Sequence, residues 1–265
     1  MIKGFLIGLV AASLGSQQLF AADDAAQLSN LGLPVQRSAD VPAAIDPKPA
    51  MPERPRRVGF EREQASSQAR QLAEWVIDSG DNRSLPFAIV DKTDAKVFVF
   101  YADGRLRGSA PALLGLAPGD DSVPGIGSRK LSSVRPDQRT TPAGRFVAAL
   151  GSNLHGEEIL WVDYDAAVSM HRVITTKPEE RRLQRLATPT PLDNRITYGC
   201  INVPAKFYDR VVSPAFTGTD GIVYVLPETR SSREVFASYD VDLRTQLKVA
   251  GHSSSTQILP PNPLQ

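Results

Sequence analysis

The stretch Ile196–Asn202, which reads ITYGCIN, holds the only cysteine among the 265 residues of the chain. A lone thiol needs a chemical explanation in an exported protein, because structural cysteines in oxidising compartments normally occur in pairs. Gly199 directly precedes Cys200, and a glycine allows a tight backbone approach and a φ that other residues rarely adopt. Amides beside the thiol could then face a developing oxyanion. The stretch therefore indicates a reactive cysteine.

The first 22 residues have the parts of a secretory signal peptide. Lys3 supplies a positive charge, residues 4–15 form an uncharged apolar core, and small residues follow at Ala21 and Ala22. Two glutamines at 17 and 18 leave an apolar run that is short for crossing a bilayer. We expect cleavage and export to the periplasm or cell envelope, and an uncleaved membrane anchor is the alternative.

Composition divides the rest of the chain. Residues 23–60 are rich in Pro, Ala and charged side chains, so they cannot bury enough apolar surface to offset their ordering entropy, which predicts a disordered linker. Residues 61–84 contain apolar side chains at helical spacing and predict a helical lead-in. Residues 85–228 are predicted to form the domain that holds Cys200, and residues 229–265 a partly disordered C-terminal extension with a helix near 241–249.

Alternating and β-branched segments predict a mostly β domain with flanking helices. The predicted strands are 86–91, 96–101, 105–114, 145–150, 158–164, 167–173, the cysteine segment 196–202 and a closing strand 221–227. Residues 115–139 are polar and rich in Gly and Pro, which predicts a long loop of the kind that borders functional clefts. A helix is predicted over 203–212, started by Pro204.

Charge and ligand content exclude several function classes. Lys and Arg number 30 against 29 Asp and Glu, a formal net charge of +1, and this balance does not indicate nucleic-acid binding. A zinc site that includes Cys200 is disfavoured because structural zinc needs four ligands at close, paired spacings. The sequence therefore indicates no metal and no cofactor.

A cysteine needs a neighbouring base or a positive field to attack carbonyls at neutral pH. Of the three histidines, His155 falls in a predicted turn and His252 in the C-terminal tail, whereas His171 ends a predicted core strand close to Cys200 in sequence. His171 is therefore the expected base. The alternative is that His171 is a hydrogen-bonded buried histidine and Cys200 an inert small apolar residue.

Three ordered segments resemble the L,D-transpeptidases, the family with a YkuD-type catalytic domain. Residues 197–202 are similar to the family signature [S/T]-x-G-C-hydrophobic-N, residues 141–146 to its T-P-x-G-x-F element, and residues 89–101 to its first two strands. The resemblance covers about residues 85–227. It implies a mixed-strand β-sandwich or barrel-like catalytic domain.

The resemblance also implies a reaction on peptidoglycan stem peptides. The family's cysteine attacks the carbonyl of the third residue of a stem tetrapeptide, expels D-alanine and forms a thioester. On this basis Cys200 is the nucleophile and His171 the base, oriented by the carbonyl of Arg172. The amides of Gly199 and Cys200 are the expected oxyanion hole. The acyl acceptor is another stem peptide, a wall-attached protein, a D-amino acid or water.

Substrate binding is expected from Thr197, Tyr198, Asn202 and Arg195, although the chain departs from the family at two points. Tyr198 replaces a histidine that many members carry before the Gly-Cys pair. His171 lies 29 positions before Cys200, a longer separation than is usual, and the excess is a charged insertion at 175–195.

The insertion is interpreted in two ways. As a lid, it would bring arginines toward the carboxylates of the stem peptide. These arginines are Arg181, Arg182, Arg185 and Arg195. The alternative is a solvated surface loop, which is what charge-rich segments usually form.

Two other functions use the same fold. A peptidoglycan L,D-carboxypeptidase or amide hydrolase would resolve the thioester with water. A non-catalytic cell-wall-binding module would retain the fold with a silent cysteine. The joint presence of His171, Gly199 and Cys200 favours an enzyme, because the three roles depend on one another. We expect membrane contact only through the signal segment, if it stays uncleaved.

Overall fold

A computed structural model describes residues 58–254. The predicted signal peptide at 1–22, nearly all of the predicted linker and the last eleven residues lie outside the described residues. The proposed division of the chain into segments thus stays a prediction. None of the helices within residues 58–254 is both long and apolar enough to span a bilayer.

Strands dominate the described region, as the alternating segments predict. In chain order they are β1 Phe87–Asp91, β2 Lys96–Phe100, β3 Leu106–Pro111, β4 Leu114–Gly115, β5 Gly144–Ser152, β6 Glu158–Asp163, β7 Val168–Arg172, β8 Arg195–Thr197, β9 Ile201–Val203 and β10 Gly221–Val225. The helices are α1 Ser67–Ser79, α2 Arg182–Ala187, α3 Ala205–Phe207, α4 Ser213–Phe216, α5 Ser232–Phe236 and α6 Val241–Ser254, with a π-helical turn at Tyr208–Val212. Short 3₁₀ turns lie at Ile126–Ser128, Leu131–Ser133, Pro136–Gln138 and Pro178–Glu180.

Eight strands form one mixed sheet in the order β3-β2-β1-β10-β5-β6-β7-β9. The predicted closing strand β10 lies in the middle of this sheet, parallel to β1 and antiparallel to β5. The two ends of the sheet approach each other, because Leu113, just after β3, exchanges backbone hydrogen bonds of 2.8 and 2.9 Å with Asn202 of β9. The mostly β, barrel-like fold expected from the resemblance is thereby confirmed.

The interior of the curved sheet is the main core. Alternate side chains of the strands face inward, as the period of two requires, and they include Val90, Val223, Met170 and Ile201. The π-helical turn and α4 contribute further apolar side chains such as Phe216. These inward positions leave the other side chains of each strand on the outer face.

A second core covers the outer face of β1, β2 and β10. Phe87, Phe98 and Tyr224 point outward and pack against α1, with α5 and α6 contributing more apolar side chains. Helix α1 begins later than residue 61, because Ser66 caps it by accepting a hydrogen bond of 3.0 Å from the amide of Ala69. The helix ends at Ser79, and Gly80 caps it with a φ of +70°.

The predicted helix at 203–212 is present as a continuous helical segment at 205–216, and its winding changes twice along its length. Pro204 is the residue before α3, and the π-helical turn follows before α4 begins. The wide turn places Tyr208 and Val212 in the interior core. Helix α5, which the sequence analysis missed, begins at a capping box of Ser231 and Glu234.

Candidate active site

The outer face of β7 and β9 carries the residues singled out around Cys200. These strands pair in parallel with His171 opposite Asn202, while the preceding pair, Met170 opposite Ile201, faces the core. The pairing of β7 with β9 therefore brings together His171 and Cys200, which are 29 positions apart in the sequence. His171 and Cys200 meet on the face that points away from the interior core.

The segment 196–202 is two strands with a break, and the prediction of one continuous strand is wrong. β8 ends at Thr197 and β9 begins at Ile201, so Cys200 lies in the bend between them. Gly199 adopts a φ of +133°, and a Cβ atom at this position would lie 2.8 Å from the carbonyl oxygen of Thr140. Both features require glycine and give the bend its shape.

Thr197 holds this bend closed. Its hydroxyl donates to the carbonyl oxygen of Cys200 at 2.6 Å and accepts the Gly199 amide at 3.1 Å. The Gly199 amide, one of the two expected oxyanion donors, already has an acceptor in Thr197. The amide of Cys200 is the donor that we retain for an oxyanion.

The T-P element packs directly beneath the bend. The Thr141 hydroxyl donates to the carbonyl oxygen of Gly199 at 2.8 Å and accepts the Gly115 amide at 2.9 Å. Thr141 is fully buried. The element therefore connects the bend that carries Cys200 to β4, a role that the sequence analysis did not assign to it.

Two hydrogen bonds define the orientation of the His171 ring. Nδ1 lies 2.8 Å from the carbonyl oxygen of Arg172 and Nε2 lies 3.1 Å from Nδ2 of Asn202. A carbonyl oxygen only accepts, so Nδ1 carries a proton. The contact of His171 with the carbonyl of Arg172 is the one that the resemblance implies. The side chain of Arg172 turns away and pairs with Asp209 at 2.7 Å.

Cys200 and His171 shift each other's pKa. Burial by itself raises the pKa of the thiol, but a hydrogen bond and charge attraction with His171 outweigh it, and the pKa of Cys200 is lowered. Burial lowers the pKa of the imidazole, and the bond and charge of Cys200 reverse this, so the pKa of His171 is raised. The two shifts together favour transfer of the thiol proton to the imidazole.

Ser169 is a contact of Cys200 that the sequence analysis missed. Its hydroxyl oxygen lies 3.7 Å from Sγ of Cys200, and Sγ also lies 3.7 Å from the carbonyl oxygen of Ala167. Ser169 precedes His171 by two positions in β7, and the period of two along a strand could have placed both on one face. The hydroxyl and the backbone of Ser169 contribute to the lowered pKa of Cys200.

The insertion contacts the site through Arg182. Nη1 of Arg182 donates to Oδ1 of Asn202 at 2.7 Å, and its Nε donates to Glu180 at 2.5 Å. Arg185 binds the carbonyl oxygens of Glu180 and Asp193. These two guanidinium groups are thus engaged within the protein.

The guanidinium of Arg195 is engaged within the protein through Nη2. Its Nη2 donates to Glu228 at 2.6 Å and to the carbonyl oxygen of Lys92 at 3.0 Å. These contacts disfavour the substrate-binding role expected for Arg195, which stays a prediction. Tyr198, by contrast, is exposed, and the guanidinium carbon of Arg139 lies 3.9 Å from its ring centroid. Tyr198 thus offers an exposed aromatic ring with a cation beside it, next to the thiol.

An aromatic pair extends the same outer face. Trp161 of β6 is in register with Ser169 of β7, and its ring stacks on Tyr164 with centroids 4.7 Å apart. Gly151 on β5 leaves the space for the indole, because a Cβ there would lie 2.9 Å from it. The face beside the thiol is therefore apolar on its β6 side.

The remaining histidines lie apart from this cluster or outside the described side chains. His155 is exposed in the turn between β5 and β6, and His252 lies in α6, where its side chain is not described. Among the side chains that the structure describes, no group of three or more His, Cys, Asp and Glu residues is arranged to hold a metal ion. The thiol and the imidazole are the groups around which a reaction can be built.

No protein-family model and no curated protein matches the chain. Solved structures do match. One is the helical cell shape determining protein from Campylobacter jejuni, at 19% identity and a TM-score of 0.36, with 65% of this chain and 58% of that chain covered. Another is an L,D-transpeptidase from Enterococcus faecium, at 18% identity and a TM-score of 0.31, with 53% and 49% covered.

A third is an L,D-transpeptidase from Mycobacterium smegmatis, at 15% identity and a TM-score of 0.29, with 53% of this chain and 58% of that chain covered. The chain thus spans less than two thirds of the length of each of these structures. Solved L,D-transpeptidases are among the structures to which this chain is similar, and they belong to the family that its motifs resemble.

Proposed function

We propose that the chain is a cysteine-dependent L,D-transpeptidase that acts on peptidoglycan stem peptides through a thioester. The observation that supports this most is the joint placement of Cys200 and His171. A half-buried thiol whose pKa is lowered interacts with an imidazole whose Nδ1 is held by a carbonyl oxygen. This arrangement of nucleophile, base and orienting group is the one that acyl transfer by a cysteine requires.

The first half of the reaction forms the thioester. The thiol proton of Cys200 moves to Nε2 of His171, and the thiolate attacks the carbonyl carbon of the third residue of a stem tetrapeptide. The Cys200 amide stabilises the oxyanion. The carbon–nitrogen bond to D-alanine then breaks, and the leaving amine takes the proton from Nε2.

The second half regenerates the enzyme. An amine from another stem peptide, a wall-attached protein or a D-amino acid attacks the thioester and gives its proton to His171. The carbon–sulfur bond breaks, and the thiolate recovers the proton. With water as the acceptor the same residues would give an L,D-carboxypeptidase. The substrate places the reaction in the periplasm or cell envelope, which agrees with the predicted signal peptide.

Mass spectrometry of the purified protein tests this function. The protein is incubated with tetrapeptide muropeptides and separately with a carbapenem, a class of inhibitor to which the resembled family is often susceptible. We expect cross-linked dimers and a covalent carbapenem adduct, both absent from Cys200→Ala. Tripeptides without dimers would replace transferase by hydrolase. A folded protein without products or adduct would favour a non-catalytic wall-binding module and overturn the proposal.

A further inference from the structure

A continuous series of polar contacts links the insertion to the proposed base. Glu180 binds Nε of Arg182 at 2.5 Å, Arg182 binds Oδ1 of Asn202 at 2.7 Å, and Nδ2 of Asn202 lies 3.1 Å from Nε2 of His171. The side chains of Arg182 and Glu180 are only 13% and 23% exposed. The series is therefore shielded and not part of a fully solvated loop.

Donor and acceptor chemistry fixes the direction of every contact. A guanidinium can only donate, so the Asn202 atom that faces Arg182 must be the amide oxygen. The amide nitrogen then faces His171, and because it can only donate, Nε2 must be the acceptor in this arrangement. Turning the amide over would bring its NH₂ group against the guanidinium, two donors with no acceptor.

Resting on the proposed function, we propose that Arg182 is a positioning residue: by binding the amide oxygen of Asn202, it aims the amide N–H at Nε2 of His171 and holds the imidazole as a neutral base. Nδ1 keeps its proton because it donates to the carbonyl of Arg172. In this resting arrangement the lone pair of Nε2 accepts the amide N–H of Asn202, and it takes the thiol proton when that amide gives way. The insertion thus sets the resting protonation of the base.

Removal of Arg182 should shift the resting state toward the thiolate–imidazolium pair. Without the guanidinium, the amide of Asn202 is free to turn and to accept a hydrogen bond from a protonated Nε2. The charge of Arg182 also disfavours the imidazolium, since it lowers the pKa of His171. Glu180, Cys200 and Lys177, whose Nζ lies 3.8 Å from Glu180, are other charged or titratable groups around this series, while Glu158, Arg172 and Asp209 form their own ion pairs nearby.

Alkylation of Cys200 by iodoacetamide across pH tests the proposal without requiring catalysis. In Arg182→Gln we expect the alkylation curve to move to lower pH, with a rate at acidic pH about threefold higher, as follows from a shift of about half a unit in the thiol pKa. The matched control is Arg181→Gln, which removes the same charge from the neighbouring, exposed position. An Arg182→Gln curve that coincides with the wild-type curve would overturn the proposal.

Steady-state transfer on muropeptides separates positioning from substrate binding. We expect kcat of Arg182→Gln to fall about tenfold, part of the usual contribution of general acid–base catalysis, with KM nearly unchanged. Arg182→Lys, which can still donate to Oδ1, should recover part of the loss. A higher KM with an unchanged pH profile would mean that Arg182 binds a substrate carboxylate, and this would contradict the positioning role.

A second variant keeps the test valid if Arg182→Gln does not fold. Glu180→Gln loosens the anchor of Arg182 while leaving the guanidinium in place, and we expect a smaller shift of the alkylation curve in the same direction. No shift in this variant would count against the proposal. If the wild-type protein alkylates normally yet transfers no acyl group, the proposed function fails, and the alkylation curves still decide the role of Arg182.

Discussion

Gly199 shows how one residue fixes the geometry of the thiol. Its φ of +133° lies in a region that side chains rarely adopt, and an added Cβ would lie 2.8 Å from the carbonyl oxygen of Thr140. Backbone cannot move aside as a flexible side chain can. The bend that carries Cys200 therefore depends on the missing Cβ.

Gly199→Ala should accordingly destabilise the protein by about 1–3 kcal/mol and distort the bend, so that carbapenem adduct formation slows strongly. The matched control is Gly218→Ala, where φ is +74° but no atom lies within 4 Å of the added Cβ. The control should show only the conformational cost, roughly 1–2 kcal/mol, and keep the adduct rate. Thermal unfolding measures the loss of stability, and mass spectrometry measures the rate of adduct formation. Equal adduct rates in the two variants would refute this account.

The lowered pKa of Cys200 gives a second prediction at the residue scale. Burial opposes ionisation of the thiol, and the interaction with His171 is the largest factor that lowers its pKa. In His171→Ala the opposing effect of burial remains, so the pKa of Cys200 should rise above that of an ordinary thiol.

The rate of iodoacetamide reaction against pH measures this change. We expect the wild-type curve to rise at a lower pH than the curve of free cysteine, whose pKa is about 8.5, and the curve of His171→Ala to rise at a higher pH. Ser169→Ala should lie between the wild type and His171→Ala, because Ser169 contributes less than His171. A His171→Ala curve that coincides with the wild type would show that the two groups do not interact.

At the scale of elements, α1 belongs to the same packed body as the sheet. Leu72 and Val76 are buried in the second core, on the outer face of the sheet, with Phe87 of β1 and Tyr224 of β10. A domain boundary at residue 85 would leave that face of the sheet uncovered. We therefore expect the folding unit to include α1, in contrast to a separate lead-in at 61–84.

Leu72→Ala tests this expectation. Truncation of a buried leucine in a close-packed core typically costs about 2–5 kcal/mol, and here the cost should appear in the single unfolding transition of the whole domain. Leu154→Ala, at an exposed position, should leave that transition unchanged. A separate early transition in Leu72→Ala, with the sheet unaffected, would support an independent lead-in segment.

Elements with a clear period could be predicted from the sequence, whereas the break at the cysteine could not. β1 and β2 are short apolar runs buried at nearly every position, whereas β5, β6 and β7 have apolar side chains interspersed with polar or exposed ones, and both patterns report burial. The segment 196–202 also contains apolar residues, but the left-handed φ of Gly199 interrupts the ladder and separates β8 from β9. Local pattern does not show such a break.

The sequence was enough to predict the pair His171 and Cys200, but not the residues that contact and orient them. His171 and Cys200 follow from residue chemistry together with the motif resemblance. Their approach depends on the parallel pairing of β7 with β9, which is a long-range contact. The contact of Arg182 with Asn202 depends on how the insertion folds back, and the arginine content of the insertion suggested substrate binding instead.

For the molecule as a whole, a buried ionic cluster connects regions that are distant in sequence. Lys92, after β1, is fully buried and binds Asp120 at 2.8 Å and the carbonyl oxygens of Gly119 and Thr141. Asp120 also accepts the amides of three consecutive residues after β10, beginning at Glu228. The cluster thus joins the long loop, the T-P element under Gly199 and the chain after the central strand.

Asp120 should make the stability of the molecule depend on pH. Burial raises the pKa of its carboxyl group, but hydrogen bonds from Lys92, from the Thr229 hydroxyl and from backbone amides outweigh burial and hold that pKa far below its usual range. Because the folded pKa is depressed below the unfolded value of about 3.9, this stabilisation is present above that value and is lost as the pH falls below it toward the folded pKa.

Asp120→Asn should therefore lower stability at neutral pH and flatten its acid dependence. Removal of one partner from a buried ion pair typically costs about 3–5 kcal/mol, and here Lys92 would keep only the more distant carboxylate of Glu228, at 3.5 Å, as a counter-charge. The matched control is Asp137→Asn, whose pair with Arg135 is 65–68% exposed and should contribute little. Thermal unfolding between neutral and acidic pH measures both variants. The amide of Asp120→Asn has no proton to gain at acidic pH. If this variant lost stability on acidification as steeply as the wild type, the acid sensitivity would belong to other carboxylates.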